Sequence, residues 1–423
     1  MGRWLPFLLV AVISGLNGAS AQEASNENVQ NNGPTVLAPF TTPEAVENIQ
    51  LAELDETLQR AMSSGDFVGL SVAVVRGNET IFIKSYGETS VEDGTPVTPD
   101  TLFRIASLSK AFASTLVGIA VTDGKLSLDA HVTDFAPKLA LYGGAESSLT
   151  LAHILSHRTG LPPNAYDNLL EAGVAPSQIL PQYRKVKPIC PVGQCYAYQN
   201  VAYDIGGLAV EQAYEEPYAF LVSQRLFTPL GMWTASLGED ALKNSINWAR
   251  PHNRKRQRDT SLPPNPWKEM KVKAPYYATP AAGGVNASIR DMAQWLKAQM
   301  GEAPEVLSPA VLGLTHTPQV STQSESRRMR RVMGNLRGSQ YAYGWRVYDY
   351  AGTQVIAHGG SVDGYGAQIA FIPELETGIV ILSNTRTQRL WSIAPMFLDL
   401  TLGLPRKDWL ALEETTSTST GSP

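Results

Sequence analysis

Strand-forming segments lie toward the two ends of this chain, and a long stretch without them separates the two sets. Leu70 to Val75 and Thr80 to Ser85 are apolar, β-branched-rich runs joined by Arg76-Gly77-Asn78-Glu79, a hairpin turn signal. Ala342 to Tyr350, Gln354 to His358, Ala367 to Ile372 and Gly378 to Ser383 read as consecutive strands near the other end. Between about 127 and 280 the pattern is helices and proline-rich loops, with no convincing run of strands. A chain arranged this way reads as an α/β protein with an all-α region inserted in its middle. The fold class is therefore α/β (α+β), with helices flanking the sheet. The expected lobes are 43–126 with 281–410 for the α/β part and 127–280 for the helical part. Helical spacing of apolar residues predicts helices over 43–62, 289–300 and 390–402, and another from the Ser107 region to a cap near Gly124.

The terminal segments carry a different signal. Met1 to Ala21 has a basic residue (Arg3), an apolar run from Trp4 to Leu16, and the small-residue sequence Ala19-Ser20-Ala21. That is the pattern of a secretory signal peptide cleaved after Ala21. The apolar run is short and interrupted by Pro6, Ser14 and Gly15, which argues against a membrane anchor. No later segment is long and apolar enough to span a bilayer, so a secreted or periplasmic protein without an integral membrane segment is expected. Residues 22–42 are polar and read as a flexible lead-in, and 411–423 as a disordered Ser/Thr-rich tail.

Composition excludes some functions. The formal charge of −5 offers no basic field for nucleic acid. The basic clusters Arg254-Lys255-Arg256-Gln257-Arg258 and Arg327-Arg328-Met329-Arg330-Arg331 read as solvated surface. Cys190 and Cys195 are the only cysteines, and in an oxidising compartment they form either a local disulfide or two free thiols. His153 and His157 are four apart on an expected helix. The residues between them lack a glutamate and no third ligand is evident, so no metal and no cofactor is expected.

The chemistry-bearing stretch is Phe103-Arg104-Ile105-Ala106-Ser107-Leu108-Ser109-Lys110. Residues three apart share a helix face, so Lys110 can approach the Ser107 hydroxyl. A helix start also aims free N–H groups at negative charge forming on that oxygen. A lysine serves as base only when burial or nearby cations lower its pKa. Most Ser-x-x-Lys pairs are ordinary helix surface, so the motif gains meaning from its partners. Tyr198-Gln199-Asn200 follows a Pro/Gly/Cys loop, where a phenol can move a proton and an amide can hold an acyl group. His358-Gly359-Gly360-Ser361 lies at the end of an apolar strand, where glycines allow close approach and an edge N–H can meet an oxyanion.

In that order, Ser-x-x-Lys, Tyr-x-Asn and a basic residue with Gly-Gly resemble the serine β-lactamase and penicillin-binding protein superfamily, in its class C branch. The branch also holds DD-peptidases, D-amino-acid amidases and esterases. Leu151-Ala152-His153-Ile154-Leu155-Ser156-His157-Arg158-Thr159-Gly160-Leu161-Pro162 and Pro280-Ala281-Ala282-Gly283-Gly284 match as well, and the resemblance runs from about residue 55 to 405.

The resemblance implies a β-lactamase/transpeptidase-like fold, an antiparallel sheet flanked by helices with an inserted all-α region, and an acyl-enzyme mechanism on an amide, lactam or ester. Ser107 would be the nucleophile, with Lys110 and Tyr198 a coupled base pair. Asn200 would hold the substrate's amide, and the N–H groups of Ser107 and Ser361 would form the oxyanion hole. Where many relatives have Lys-Thr-Gly, this chain has His358-Gly359-Gly360. The histidine is expected to supply a donor to substrate, and a charge if its pKa is raised. Gly359 lacks the hydroxyl that would contact a substrate carboxylate. The expected function is β-lactamase or D-Ala peptidase-like, on a small-molecule or peptide substrate. A carboxylesterase, a slowly deacylating penicillin sensor and a dead scaffold are the alternatives. Oligomeric state is left open.

Overall fold

The computed structural model describes residues 50–257, 262–330 and 332–413. The signal segment, the lead-in, residues 43–49 of the first helix and most of the tail therefore lie outside the described residues. The first helix, α1, spans Leu51–Ser63. The main sheet has eight antiparallel strands: β1 (Gly69–Arg76), β2 (Glu79–Gly87), β3 (Val320–Ser321), β4 (Leu336–Tyr341), β5 (Arg346–Tyr350), β6 (Thr353–Val362), β7 (Tyr365–Ile372) and β8 (Thr377–Ser383). Their spatial order is β2-β1-β8-β7-β6-β5-β4-β3. The early hairpin thus joins the late strands through β1 and β8, in the register Leu70–Ser383 to Arg76–Thr377.

The sheet is covered on both faces. On one lies α4 (Ile289–Gln299), with α2 (Ser109–Thr122) packed beside it and α3 (Ile205–Tyr214) packed on α2; the other face packs against α1 and α5 (Leu390–Thr401). Twelve of the fourteen residues of α2 are buried, which is what a helix apolar on every side demands. Phe112 stacks on Trp295 of α4 with ring centroids 3.8 Å apart, which fixes α2 against the sheet layer. A separate apolar cluster around Leu149, Leu161, Leu170, Tyr183 and Ile205 supports the middle of the chain.

Several sequence expectations change. The middle region is not purely α: Ser236–Leu237 pairs with Val285–Ala287, and His252–Asn253 pairs with Lys268–Glu269. These strands are two or three residues long, too short to leave a period-2 pattern. The strand expected from Ala342 begins at Arg346, because residues 342–345 turn the chain back from β4. β4 itself reads Leu336-Arg-Gly-Ser-Gln-Tyr341, a polar sequence that gives no strand signal. β6 continues beyond His358 to Val362, so His358-Gly359-Gly360 lies inside a strand. Cys190 and Cys195 form a disulfide.

Candidate active site

Ser107 lies in a single 3-10 turn, Ala106–Leu108, that leads into α2. Ala106, just before it, has φ +50°, a left-handed conformation that costs a non-glycine residue free energy. Ser109 holds that turn: its hydroxyl donates to Ala106 O at 2.6 Å and accepts from Val285 N at 3.0 Å. The strain sits next to the nucleophile, where it exposes the Ser107 hydroxyl and N–H at the helix start.

Lys110 has no solvent-exposed surface. Its Nζ is 3.4 Å from Ser107 Oγ and donates to Asn200 Oδ1 at 2.7 Å and Ala282 O at 3.0 Å. Burial lowers its pKa to about 7, while the carboxyls of Asp167 and Asp204 work in the opposite direction. Asp204 also accepts from Ala281 N at 2.9 Å, which holds the segment carrying Ala282 O. Lys110 Nζ lies 4.7 Å from the centroid of the Tyr198 ring. The Tyr198 phenol is pushed up by burial, and its hydrogen bond with Ser107 works against that rise. Tyr198 is therefore a neutral phenol across the physiological range, whereas Lys110 is half deprotonated near pH 7.

Across the cleft stands β6. Gly360 packs against the nucleophile turn: a Cβ there would come within 2.3 Å of Ile105 O and 3.1 Å of Ser107 N. The two-residue connection Asp363-Gly364 pairs Val362 with Tyr365. Strand alternation then turns the backbone groups of Gly359 and Ser361 away from β7, beyond the point where β5 stops pairing. Ser361 is exposed and lines the cleft, so its N–H is available beside that of Ser107.

His358 does not face the cleft, contrary to the expectation that it would meet substrate. It is 3% exposed and both ring nitrogens are used internally. Its Nδ1 is 2.9 Å from Gly359 O and its Nε2 3.0 Å from Tyr341 Oη. Tyr341 Oη is in turn 3.2 Å from His157 Nε2, and His157 Nδ1 accepts from Gln199 N at 3.1 Å. Because that Nδ1 is an acceptor, the direction of every later proton is fixed. His157 Nε2–H donates to Tyr341, Tyr341 donates to His358 Nε2, and His358 Nδ1–H donates to the Gly359 carbonyl. Burial lowers the pKa of both histidines, and the neighbouring Lys110 and Arg346 push the same way. The histidines are neutral positioning groups that tie the Tyr198-Gln199-Asn200 loop to β6.

Asn200 is also more occupied than the sequence suggests. Besides accepting from Lys110, it donates through Nδ2 to Asp167 Oδ2 at 2.6 Å. Its amide joins base to carboxylate, which leaves one N–H for a ligand.

The cleft has a volume of about 710 Å³ and is lined by Ser107, Tyr198, Asn200, Gly359 and Ser361 together with residues that sequence reading missed. These include Asp167, Glu171, Tyr276, Glu325 and Arg346. Arg346 enters from β5 and forms an ion pair with Glu325; its guanidinium lies 5.9 Å from the Tyr198 ring centroid. A basic residue opening an apolar strand is the only signal that marked Arg346. Asp167 and Tyr276 sit in loop-rich sequence with no motif around them. Among the described residues no group of His, Cys, Asp and Glu could hold a metal ion, and His153 is bonded through Nδ1 to Thr150 rather than placed beside His157.

A family model described as Beta-lactamase matches residues 54–400. The chain belongs to the Beta-lactamase family. Its members are serine hydrolases, and this chain has their fold. Among curated relatives, the unguisins hydrolase ungD' of Aspergillus campestris is 27% identical over 340 residues, covering 78% of this chain and 61% of that protein. A β-lactamase of Pseudomonas fluorescens is 24% identical, over 78% of this chain and 92% of the relative. The match thus spans about three-fifths of the longer ungD' protein. Among solved structures, an octameric penicillin-binding protein homologue from Pyrococcus abyssi superposes with TM-score 0.73 at 23% identity, over 84% of this chain and 78% of that one. A class C β-lactamase superposes with TM-score 0.64 at 23% identity, over 84% and 98%. At these identities the two structures speak for the fold of the family, and the chemistry of the cleft rests on its own geometry.

Proposed function

We propose that this protein is an exported serine hydrolase that opens amide or ester bonds through an acyl-enzyme at Ser107. The observation that carries the reading is the buried Lys110 amine, lowered to a pKa of about 7 and held 3.4 Å from the Ser107 hydroxyl. Neutral Lys110 takes the Ser107 proton as Oγ attacks the carbonyl carbon. The N–H groups of Ser107 and Ser361 hold the oxyanion. Collapse expels the leaving amine or alkoxide, which takes a proton delivered from Lys110 through the Tyr198 phenol. Water then attacks the ester at Ser107 with proton transfer along the same pair, releasing the acid and restoring the hydroxyl. Lys110 is the resting base and Tyr198 the relay, because only the amine titrates near neutrality. The Cys190–Cys195 disulfide supports an oxidising compartment, in keeping with the signal-like first 21 residues.

One observation favours esters and uncharged amides over β-lactams. At positions 358 and 359 the late strand offers neither a cation nor a hydroxyl to a substrate carboxylate, since His358 is neutral and internal and Gly359 has no side chain. The cleft's guanidinium, Arg346, is already paired with Glu325. Turnover of a short-chain nitrophenyl ester and of a chromogenic cephalosporin, with intact-mass detection of the adduct, tests this. The expected result is a transient acyl adduct on Ser107 and faster release from the ester. A long-lived cephalosporin adduct would instead support a penicillin trap. Equal ester turnover by Ser107→Ala would refute the mechanism.

A further inference from the structure

A guanidinium stands in the wall of the cleft without bonding to the nucleophile or its base. Arg346 opens β5, and its register neighbour on β6 is Ala357, one residue before His358. The guanidinium lies 5.9 Å from the Tyr198 ring centroid and 5.5 Å from that of Tyr341, and it forms an ion pair with Glu325. Glu325 comes from the helix Gln323–Met329, and both side chains line the cleft. The pair is partly buried, with 16% and 17% of the two side chains exposed, so solvent and salt screen its charges less than those of a surface pair.

The base sits over the same aromatic ring. Lys110 Nζ is 4.7 Å from the Tyr198 centroid, so amine and guanidinium are at most about 11 Å apart. At an effective dielectric of about 20, like charges at that range repel by the equivalent of about one pH unit in a titration. Arginine keeps its charge at every working pH, so the lysine is the partner that sheds a proton. Ser107, Asn200 and the Ala282 carbonyl also face Lys110, with the phenols of Tyr198 and Tyr203 and the neutral His157 and His358. The carboxyls of Asp167 and Asp204 draw the amine toward its charged form, and Arg346 acts against them. Around Arg346 itself stand Glu325, Tyr196, Tyr341 and Tyr348. Its charge also pushes Tyr198, His157 and His358 downward, so the groups around the nucleophile share one fixed cation.

We infer that Arg346 is a positioning residue of the reaction: braced by Glu325, it supplies a fixed positive charge that favours the neutral Lys110 amine and the negative charge developing on the attacking Ser107 oxygen. It bonds to neither atom and acts across the Tyr198 ring. Glu325 sets how much of that charge reaches Lys110, because its carboxylate opposes it. The inference rests on the hydrolase reading for the use of the amine as base, but the effect on the amine itself does not need turnover.

The test titrates Lys110 directly by NMR, in the full-length protein carrying isotope-labelled lysine; its signal is the one missing from Lys110→Ala. Arg346→Met is expected to raise the midpoint from about 7 by about one pH unit, leaving about tenfold less neutral amine on the acid side. Glu325→Gln breaks the same ion pair but leaves the guanidinium, and is expected to lower the midpoint by about half a unit. The opposite signs separate the inference from a structural role, in which loss of the pair from either side would act alike. Arg346→Lys keeps the charge and is expected to hold the midpoint within about 0.3 unit of the parent. The rising limb of kcat/KM for a nitrophenyl ester should be displaced in the same directions. Shifts of one sign in Arg346→Met and Glu325→Gln, or an unmoved midpoint in Glu325→Gln, overturn the inference. If Arg346→Met does not fold, a downward shift in Glu325→Gln with none in Arg346→Lys supports it, and any other result overturns it. Failure of the hydrolase reading would appear separately, as the absence of an acyl adduct on Ser107.

Discussion

The two walls of the cleft act on the same reacting atoms by different means. The wall formed by the start of α2 works through side chains: Ser107 and Lys110 are three residues apart, and burial brings the amine near neutrality. The β6 wall works through backbone. Its side chains are absent at Gly359 and Gly360 or turned inward at His358, and what it presents is a strand edge and the Ser361 N–H. The difference teaches where acyl-transfer chemistry and substrate choice can be separated. A side-chain wall fixes the nucleophile and its base. A backbone wall stabilises the oxyanion while leaving recognition to whatever else lines the cavity, here Asp167, Glu171, Tyr276 and the Arg346–Glu325 pair.

The comparison breaks most sharply at Lys110. Lys110→Ala is expected to lower kcat/KM for an activated ester by about a hundred- to ten-thousandfold, the usual worth of a positioned base. In the unaltered protein kcat/KM should rise with pH and reach half its plateau near pH 7, because the neutral amine is the active form. A solvated lysine would place that limb above pH 10. Asp204 is also raised to about 7 by burial and titrates in the same window. Asp204→Asn assigns the limb: with Lys110 as base the rise persists, displaced to lower pH by loss of the carboxylate. The sign for stability runs the same way for Lys110. Its folded pKa lies below its unfolded one, so the unfolded chain holds the extra proton between about 7 and 10.5, and this group's contribution to stability grows as pH rises through that interval.

The next largest effect is expected on the opposite wall. Gly360→Ala places a methyl group against Ile105 O, a backbone atom 2.3 Å from the ideal Cβ position, so strand and nucleophile turn must separate. Turnover should fall by about a hundred- to a thousandfold, the cost of losing one oxyanion donor, with circular dichroism unchanged. Near-normal turnover would show that β6 does not contribute to the oxyanion site.

A smaller effect sharpens the contrast between inward and outward side chains. His358→Lys introduces an ammonium into a buried position already near Lys110 and Arg346. Urea unfolding should report a loss of about 3–5 kcal/mol, as for an uncompensated buried charge. Normal stability with a gain in cephalosporin turnover relative to ester would mean that residue 358 reaches the cleft after all. Gly359 offers little relief as a site for a threonine, since a Cβ there would lie 3.0 Å from the Trp391 ring.

Much of the architecture could be read in the chain. Apolar β-branched runs such as Leu70–Val75 and Gly378–Ser383 mark central strands because both faces are buried, and α2 is legible from its unbroken apolar sequence. β4 was not legible, because an edge-side strand containing Arg337, Gly338 and Gln340 satisfies its backbone by pairing rather than by a buried side-chain pattern.

Local spacing by itself determined that Ser107 and Lys110 could meet, since three residues on a helical start always share a face. It also determined that a glycine pair would lie on a late strand. Only the tertiary structure decided that Lys110 is sealed from water and titrates near 7, that His358 is neutral and bonded inward through Tyr341, and that Asp167 lines the cleft beside Asn200. The physical reason is that burial, charge environment and hydrogen-bond partners are properties of what surrounds a group. Those surroundings come from segments more than a hundred residues away in the chain, as Tyr341 and Asp167 do for His157 and Tyr276.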